Sequence, residues 1–94
     1  KQGKLILNLV GHYHLYGYPV VEACVKYKCH HIDISGEFNF LKQVQLDYHE
    51  RAKEAGIYII EACGFDSIPA DMGVVFTKQN FPGTLNSVEA YLST

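Results

Sequence analysis

His31-Ile32-Asp33-Ile34 is a short run that stops at Ser35-Gly36, and the stretches on either side of it decide the fold. It reads as a strand closed by a turn. Beyond the turn, residues 37–55 carry the clearest helical pattern in the chain. Leu41, Val44, Tyr48, Ala52 and Ala55 share one apolar stripe, while Gln45, Asp47, Glu50 and Glu54 lie off it. Gly56 stands where a glycine ends such a helix. The run Ile57-Tyr58-Ile59-Ile60-Glu61-Ala62 follows at once as another strand. Toward the N-terminus, Leu5-Ile6-Leu7-Asn8-Leu9-Val10 is nearly continuous in apolar character and ends at Gly11, as a strand buried on both faces does. The three runs start at residues 5, 31 and 57, an interval of 26 each time. That is the length of a compact strand–helix unit, so the fold class is α/β with parallel strands and right-handed helical crossovers.

The remaining segments fit this frame. Residues 11–18, rich in Gly, His and Tyr, are expected to form a loop, with Pro19 in the first turn of a helix running to about Lys28. Val20, Ala23, Cys24 and Tyr27 fall at helical spacing there. Gly64-Phe65-Asp66-Ser67 turns the chain, Asp66 or Ser67 serves as N-cap, and Pro69 begins a helix over residues 68–80. After Phe81-Pro82-Gly83-Thr84, the alternation of Val88, Ala90 and Leu92 with Ser87, Glu89 and Tyr91 predicts a last strand. Right-handed crossovers place the first two helices on one face of the sheet. Both faces of the strands are apolar, and the helix at 68–80 is the only internal candidate to cover the second. The sheet therefore reads as half of something larger.

Composition narrows the function classes. With 94 residues, 48% hydrophobic and 19% charged, the chain is one globular domain. A net charge of −2 leaves no electrostatic footprint for nucleic acid or an anionic membrane. No apolar run approaches the roughly 20 residues of a spanning helix. Cys24, Cys29 and Cys63 are odd in number and lack C-x-x-C spacing, which fits a reducing, intracellular compartment better than a disulfide framework. The start at Lys1, without Met, reads as a piece of a longer protein.

In a parallel α/β sheet, ligands bind beyond the carboxyl ends of the strands. The residues expected at that edge include Gly11, Gly17, Gly36 and Gly64, together with Ser35, Glu37, Asp66, Ser67 and Asp71. Helix N-termini there favour an anion, although the three carboxylates already supply negative charge. The plain alternative is that these residues cap helices and close turns, which is the stronger reading for Ser35, Ser67 and Pro69. No G-x-G-x-x-G, phosphate-loop or nucleophile-elbow string occurs. His12 and His14 could begin a metal-dependent hydrolase site, with His30, His31, Asp33, His49 and the cysteines as further ligands. With no H-E-x-x-H or cysteine pair beside them, no metal site is expected. Tyr13, Tyr16 and Tyr18 could stack on an aromatic ligand or wall the loop against a neighbour.

Four strings together resemble the saccharopine dehydrogenase-like oxidoreductase family: Leu9-Val10-Gly11-His12-Tyr13, Tyr16-Gly17-Tyr18-Pro19-Val20-Val21, Ile32-Asp33-Ile34-Ser35-Gly36-Glu37 and the stretch from Cys63 through Gly64-Phe65-Asp66-Ser67-Ile68-Pro69-Ala70-Asp71 to Gly73. One departure is His12, where the family pattern has proline. The resemblance implies that residues 1–83 are the back half of an NAD(P)-binding Rossmann domain, making the sheet a partial Rossmann-like one. Residues 84–94 would be the first strand of a following domain. The partners implied are the front half of the Rossmann domain, which would bring the phosphate-binding loop, the second domain, and a dinucleotide, NAD or NADP. Gly11, His12 and Tyr13 with Ser35, Gly36 and Glu37 would face the cofactor, and Asp66 and Ser67 the substrate side. Catalytic residues stay unassigned. The whole protein is expected to transfer a hydride to an undefined substrate, and the isolated chain to be inactive. The same resemblance leaves open a non-catalytic scaffold associated with lipid droplets or membranes. The hydrolase fragment built on His12 and His14 is the remaining alternative.

Overall fold

The computed structural model describes residues 3–93; Lys1, Gln2 and Thr94, at the outer ends of the two expected domains, lie outside the described residues. Strands β1 (Leu5–Asn8), β2 (His30–Asp33) and β3 (Ile59–Ile60) alternate with helices α1 (Tyr13–Tyr27), α2 (Phe38–Ala55) and α3 (Ile68–Asn80). The strands pair in parallel in the order β1-β2-β3. Leu7 stands opposite Ile32 and Ile32 opposite Ile60, while Ile6, His31 and Ile59 form the neighbouring row. Successive residues point to opposite faces, so each row belongs to one side of the sheet.

The core lies between one face and the first two helices. Tyr13, Val21, Phe40, Val44 and Tyr48 pack with Val10 and Ile59, and Cys24, Cys29, Ala52 and Ile57 pack with Ile6 and Ile59. Both crossover helices therefore cover the same face, as right-handed connections require. Gly17 lets them close in. A Cβ there would stand 2.6 and 2.7 Å from ring atoms of the fully buried Phe40. Outside the core, Glu22 of α1 takes a two-pronged bond from Arg51 of α2 (2.6 and 2.9 Å) and a third from the Tyr48 hydroxyl. The Arg51 bond, followed by that of Tyr48, holds the Glu22 carboxyl down to about 2.

α2 follows the sequence pattern, with Glu37 at its N-cap and Gly56 at φ 71° ending it, although Phe40 rather than Leu41 leads its buried stripe. α1 does not. It begins at Tyr13, not Pro19, and most of the expected loop is helix. Pro19 sits mid-helix, where its missing N–H costs the carbonyl of Leu15 its partner, and both residues are exposed to water. The buried positions of α1 are Tyr13, Gly17, Val21 and Cys24, and Tyr27 points to solvent.

The last strand expected at residues 88–92 is absent among the described residues, since no neighbouring strand pairs with it. Nor does α3 cover the second face: none of its residues is buried. The chain leaves β3 through Ala62 at φ 57° and a turn at Gly64, and α3 stands off the sheet. The radius of gyration is 16.1 Å, against roughly 12 Å for a compact domain of this length. The second sheet face stays open, with Leu5, Leu7 and Leu9 54–62% exposed and Ile34, Tyr58 and Ile60 also in solvent.

Candidate functional site

At the carboxyl end of β1 the chain passes through Gly11 and His12 into α1. His12 takes φ 44° and ψ 71°, a left-handed conformation that a proline ring, locked near −65°, cannot adopt. The first turn of α1 is then capped from a distant part of the chain. The N–H of Tyr13 donates to Glu37 Oε1 (2.9 Å) and that of His14 to Glu37 Oε2 (2.8 Å). One carboxylate thus ties the exit of β1 to the exit of β2, bringing together Gly11, His12, Tyr13, Ser35, Gly36 and Glu37. Beside them lies a hollow of about 540 Å³ lined by His12, His14, Leu15, Glu37, Phe38 and Asn39, so that of this set only His12 and Glu37 line it.

Not every member of this set faces outward. The Tyr13 ring turns into the core, and its hydroxyl donates to the Asn8 carbonyl (2.7 Å). Burial, ahead of the nearby charges, raises its hydroxyl above the usual tyrosine value. Tyr18 packs edge-on against Phe40, which leaves Tyr16 exposed. Ser35 is buried, and its hydroxyl donates to Asp33 Oδ1 (2.6 Å). Gly11 and Gly36 are bare backbone beside the hollow, because a Cβ on either would meet nothing within 4 Å.

Beneath this ledge runs a buried polar row that sequence reasoning missed. Asn8 pairs in register with Asp33, and the next step of the β2–β3 register sets Asp33 beside Glu61. Asp33 Oδ1 also accepts the N–H groups of Ser35 (3.0 Å) and Ala62 (3.1 Å), while the Cys63 N–H donates to the Asp33 carbonyl (2.8 Å). The exit of β3 is thereby anchored to the end of β2. The Val10 N–H donates to Asn8 Oδ1, so the Asn8 amide donates to His31 Nε2 (3.2 Å), and this network assigns the ring proton to Nδ1. His31 Nδ1 stands 3.9 Å from Asp33 Oδ2, too far for a hydrogen bond. Among the described residues, those two atoms and Glu61 Oε2 have no hydrogen-bond partner. Burial holds the imidazole below its usual value against the opposing pull of Asp33. Burial first, and the Asp33 charge second, push the Glu61 carboxyl up to about 7. The available signal was a polar residue inside each apolar strand: Asn8, Asp33 and Glu61.

Asp66 and Ser67 lie in the turn before α3. Ser67 occupies the N-cap position without a side-chain capping bond, Asp66 is exposed, and among the described residues no hydrogen bond joins either to the ledge. Gly64 passes close to β2, where a Cβ would lie 3.1 Å from Ile34 Cβ. Among the described residues no group of three or more His, Cys, Asp or Glu side chains could hold a metal ion, so His12 and His14 have no third ligand there. No helix among them is long and apolar enough to cross a membrane.

A family model described as the saccharopine dehydrogenase NADP binding domain matches residues 1–60. The chain is 52% identical over 93 residues to a Homo sapiens protein named saccharopine dehydrogenase-like oxidoreductase, covering 99% of this chain and 22% of that protein. A Caenorhabditis elegans protein named lipid droplet localized protein is 49% identical over 92 residues, or 98% of this chain and 22% of its own. An Arabidopsis thaliana protein named probable mitochondrial saccharopine dehydrogenase-like oxidoreductase is 49% identical over 94 residues, covering 98% of this chain and 21% of that one. The chain thus spans about a fifth of the length of these relatives. No solved structure matches it.

The ledge fits one end of a nicotinamide dinucleotide and not the other. A pyrophosphate needs free backbone N–H groups at a helix N-terminus. At α1 the N–H groups of Tyr13 and His14 are already held by Glu37, and those of Leu15 and Tyr16 by the His12 carbonyl.

Proposed function

The chain belongs to the saccharopine dehydrogenase-like oxidoreductase family, and from that premise we propose that it is the back half of a dinucleotide-binding domain in a longer, hydride-transferring oxidoreductase. Residues 1–83 form that half-domain, and residues 84–94 lead into a second domain. The observation that carries the reading is the parallel order β1-β2-β3, with the exits of β1 and β2 tied into one ledge by Glu37. The cofactor is a nicotinamide dinucleotide, with NADP ahead of NAD on the family description. When bound it supplies the hydride. Gly11 and Gly36 give its nicotinamide end close backbone approach, His12 and Glu37 border it, and Ser35 and Tyr13 hold the ledge from below. Asp66 and Ser67 border the substrate side, and the phosphates are held by the domain's other half.

The bare backbone at Gly36 gives a clean test. A Gly36→Leu side chain would project into free space, leaving the fold intact while adding bulk beside the ledge. NADPH and NADH titrations of the whole protein should show tighter NADPH binding and a loss of about tenfold or more in the variant at unchanged melting temperature. Unchanged affinity in Gly36→Leu would remove the ledge from the cofactor site.

A second reading rests on a different observation. The name of the worm relative supports a lipid-droplet setting, and that of the plant relative a different organelle. An intracellular location suits both. A whole protein that binds neither dinucleotide yet co-sediments with purified lipid droplets would favour a scaffold role.

A further inference from the structure

We propose that Glu37 is an internal anion: its carboxylate fills the N-terminus of α1, sets the two strand exits in place, and keeps the phosphates of the dinucleotide away from this end of the site. This rests on the dinucleotide reading above and adds a direction to it. A helix N-terminus carries about half a positive charge and unpaired N–H donors, which attract anions. Beside a dinucleotide cleft, such a terminus competes for a phosphate group. Here the competition is settled from within the chain. Glu37 receives Tyr13 and His14 at 2.9 and 2.8 Å, one to each oxygen. The His12 carbonyl receives Leu15 and Tyr16 at 2.8 and 3.1 Å. No donor of that first turn remains for a ligand oxygen, and the resident negative charge repels one.

Sequence separation makes Glu37 a positioning residue as well as a cap. It lies 24 and 23 residues from the groups it binds. Without it, α1 would keep neither its start at Tyr13 nor the tie between the exits of β1 and β2. The charge and the geometry can be separated. Glutamine keeps the size and one acceptor oxygen but replaces the other with an N–H donor, which faces a second donor. Aspartate keeps the charge on a shorter stem.

The test uses the whole protein that carries this chain, with inorganic phosphate as the probe and chloride added to hold ionic strength constant. In the wild type, the Tyr13 and His14 amides should be protected from exchange and unmoved by phosphate. In Glu37→Gln they should exchange about tenfold faster or more and shift on phosphate addition. NADPH affinity should fall about tenfold in the variant and become sensitive to phosphate, with partial recovery in Glu37→Asp. A variant with wild-type protection, no phosphate response and unchanged NADPH affinity overturns the proposal. If the wild type binds no dinucleotide, the functional reading falls. The amide readout then decides the role of Glu37 alone, and unprotected wild-type amides overturn it.

Discussion

Glu61→Gln removes an ionisable group while keeping its shape, and the structure predicts that it stabilises the protein increasingly as pH rises from 4.5 to about 7. Glu61 stands beside Asp33 in the buried row, with one oxygen lacking a partner and its carboxyl raised from 4.5 to about 7. At about 1.4 kcal/mol per pH unit that separation is worth on the order of 3 kcal/mol, or about 2 after allowing for the partial exposure of Glu61 to solvent. The folded state binds this proton more tightly than the unfolded one. Its contribution is therefore complete below pH 4.5, declines as pH rises toward 7, and is lost above that. His31 has the opposite sign. Its value is lowered from 6.5, so stability is complete above 6.5 and falls as acid charges the ring. Urea unfolding followed by circular dichroism at pH 4 and pH 8 reads the Glu61 limb, provided the denaturant slope is unchanged. The variant should match the wild type at pH 4 and exceed it by about 2 kcal/mol at pH 8. An equal gap at both values would refute the reasoning, because a contact that is merely lost or gained does not titrate.

Two other substitutions probe the packing and the backbone. Gly17→Ala gains up to about 1 kcal/mol of helix propensity but drives a methyl into the Phe40 ring, so a net loss of about 1–2 kcal/mol is expected in thermal unfolding. A rise in melting temperature would mean that α1 and α2 are not in close contact. His12→Gly should stabilise by roughly 1 kcal/mol by relieving the left-handed backbone, whereas His12→Pro should destabilise because its ring forbids φ 44°. Equal melting temperatures for the two variants would contradict the observed start of α1.

What was legible in the sequence was local. The apolar runs near residues 5, 31 and 57 gave three strands in parallel order, and the stripe Val44, Tyr48, Ala52 with Gly56 behind it gave α2 nearly to the residue. The start of α1 was hidden because its cap, Glu37, arrives from the far side of β2, while Pro19 imitated a helix start. Val88, Ala90 and Leu92 carry a strand pattern, but a strand forms only against a partner, and pattern alone does not supply one. The helix at 68–80 was legible but not its place, since Ile68, Met72 and Phe76 are exposed rather than packed on the second sheet face. At the site, the glycine and serine turns were legible by type. The Asn8–His31–Asp33–Glu61 row was not, since its meaning depends on which strands are neighbours.

The central claim is that the ledge at the exits of β1 and β2 receives the nicotinamide end of the cofactor. Glycine-selective amide spectra of the whole protein, recorded with and without NADPH, test it most directly. Gly11 and Gly36 should shift on cofactor addition, while Gly56, at the C-terminal end of α2, should not. Saturable binding that leaves Gly11 and Gly36 unmoved would contradict the account.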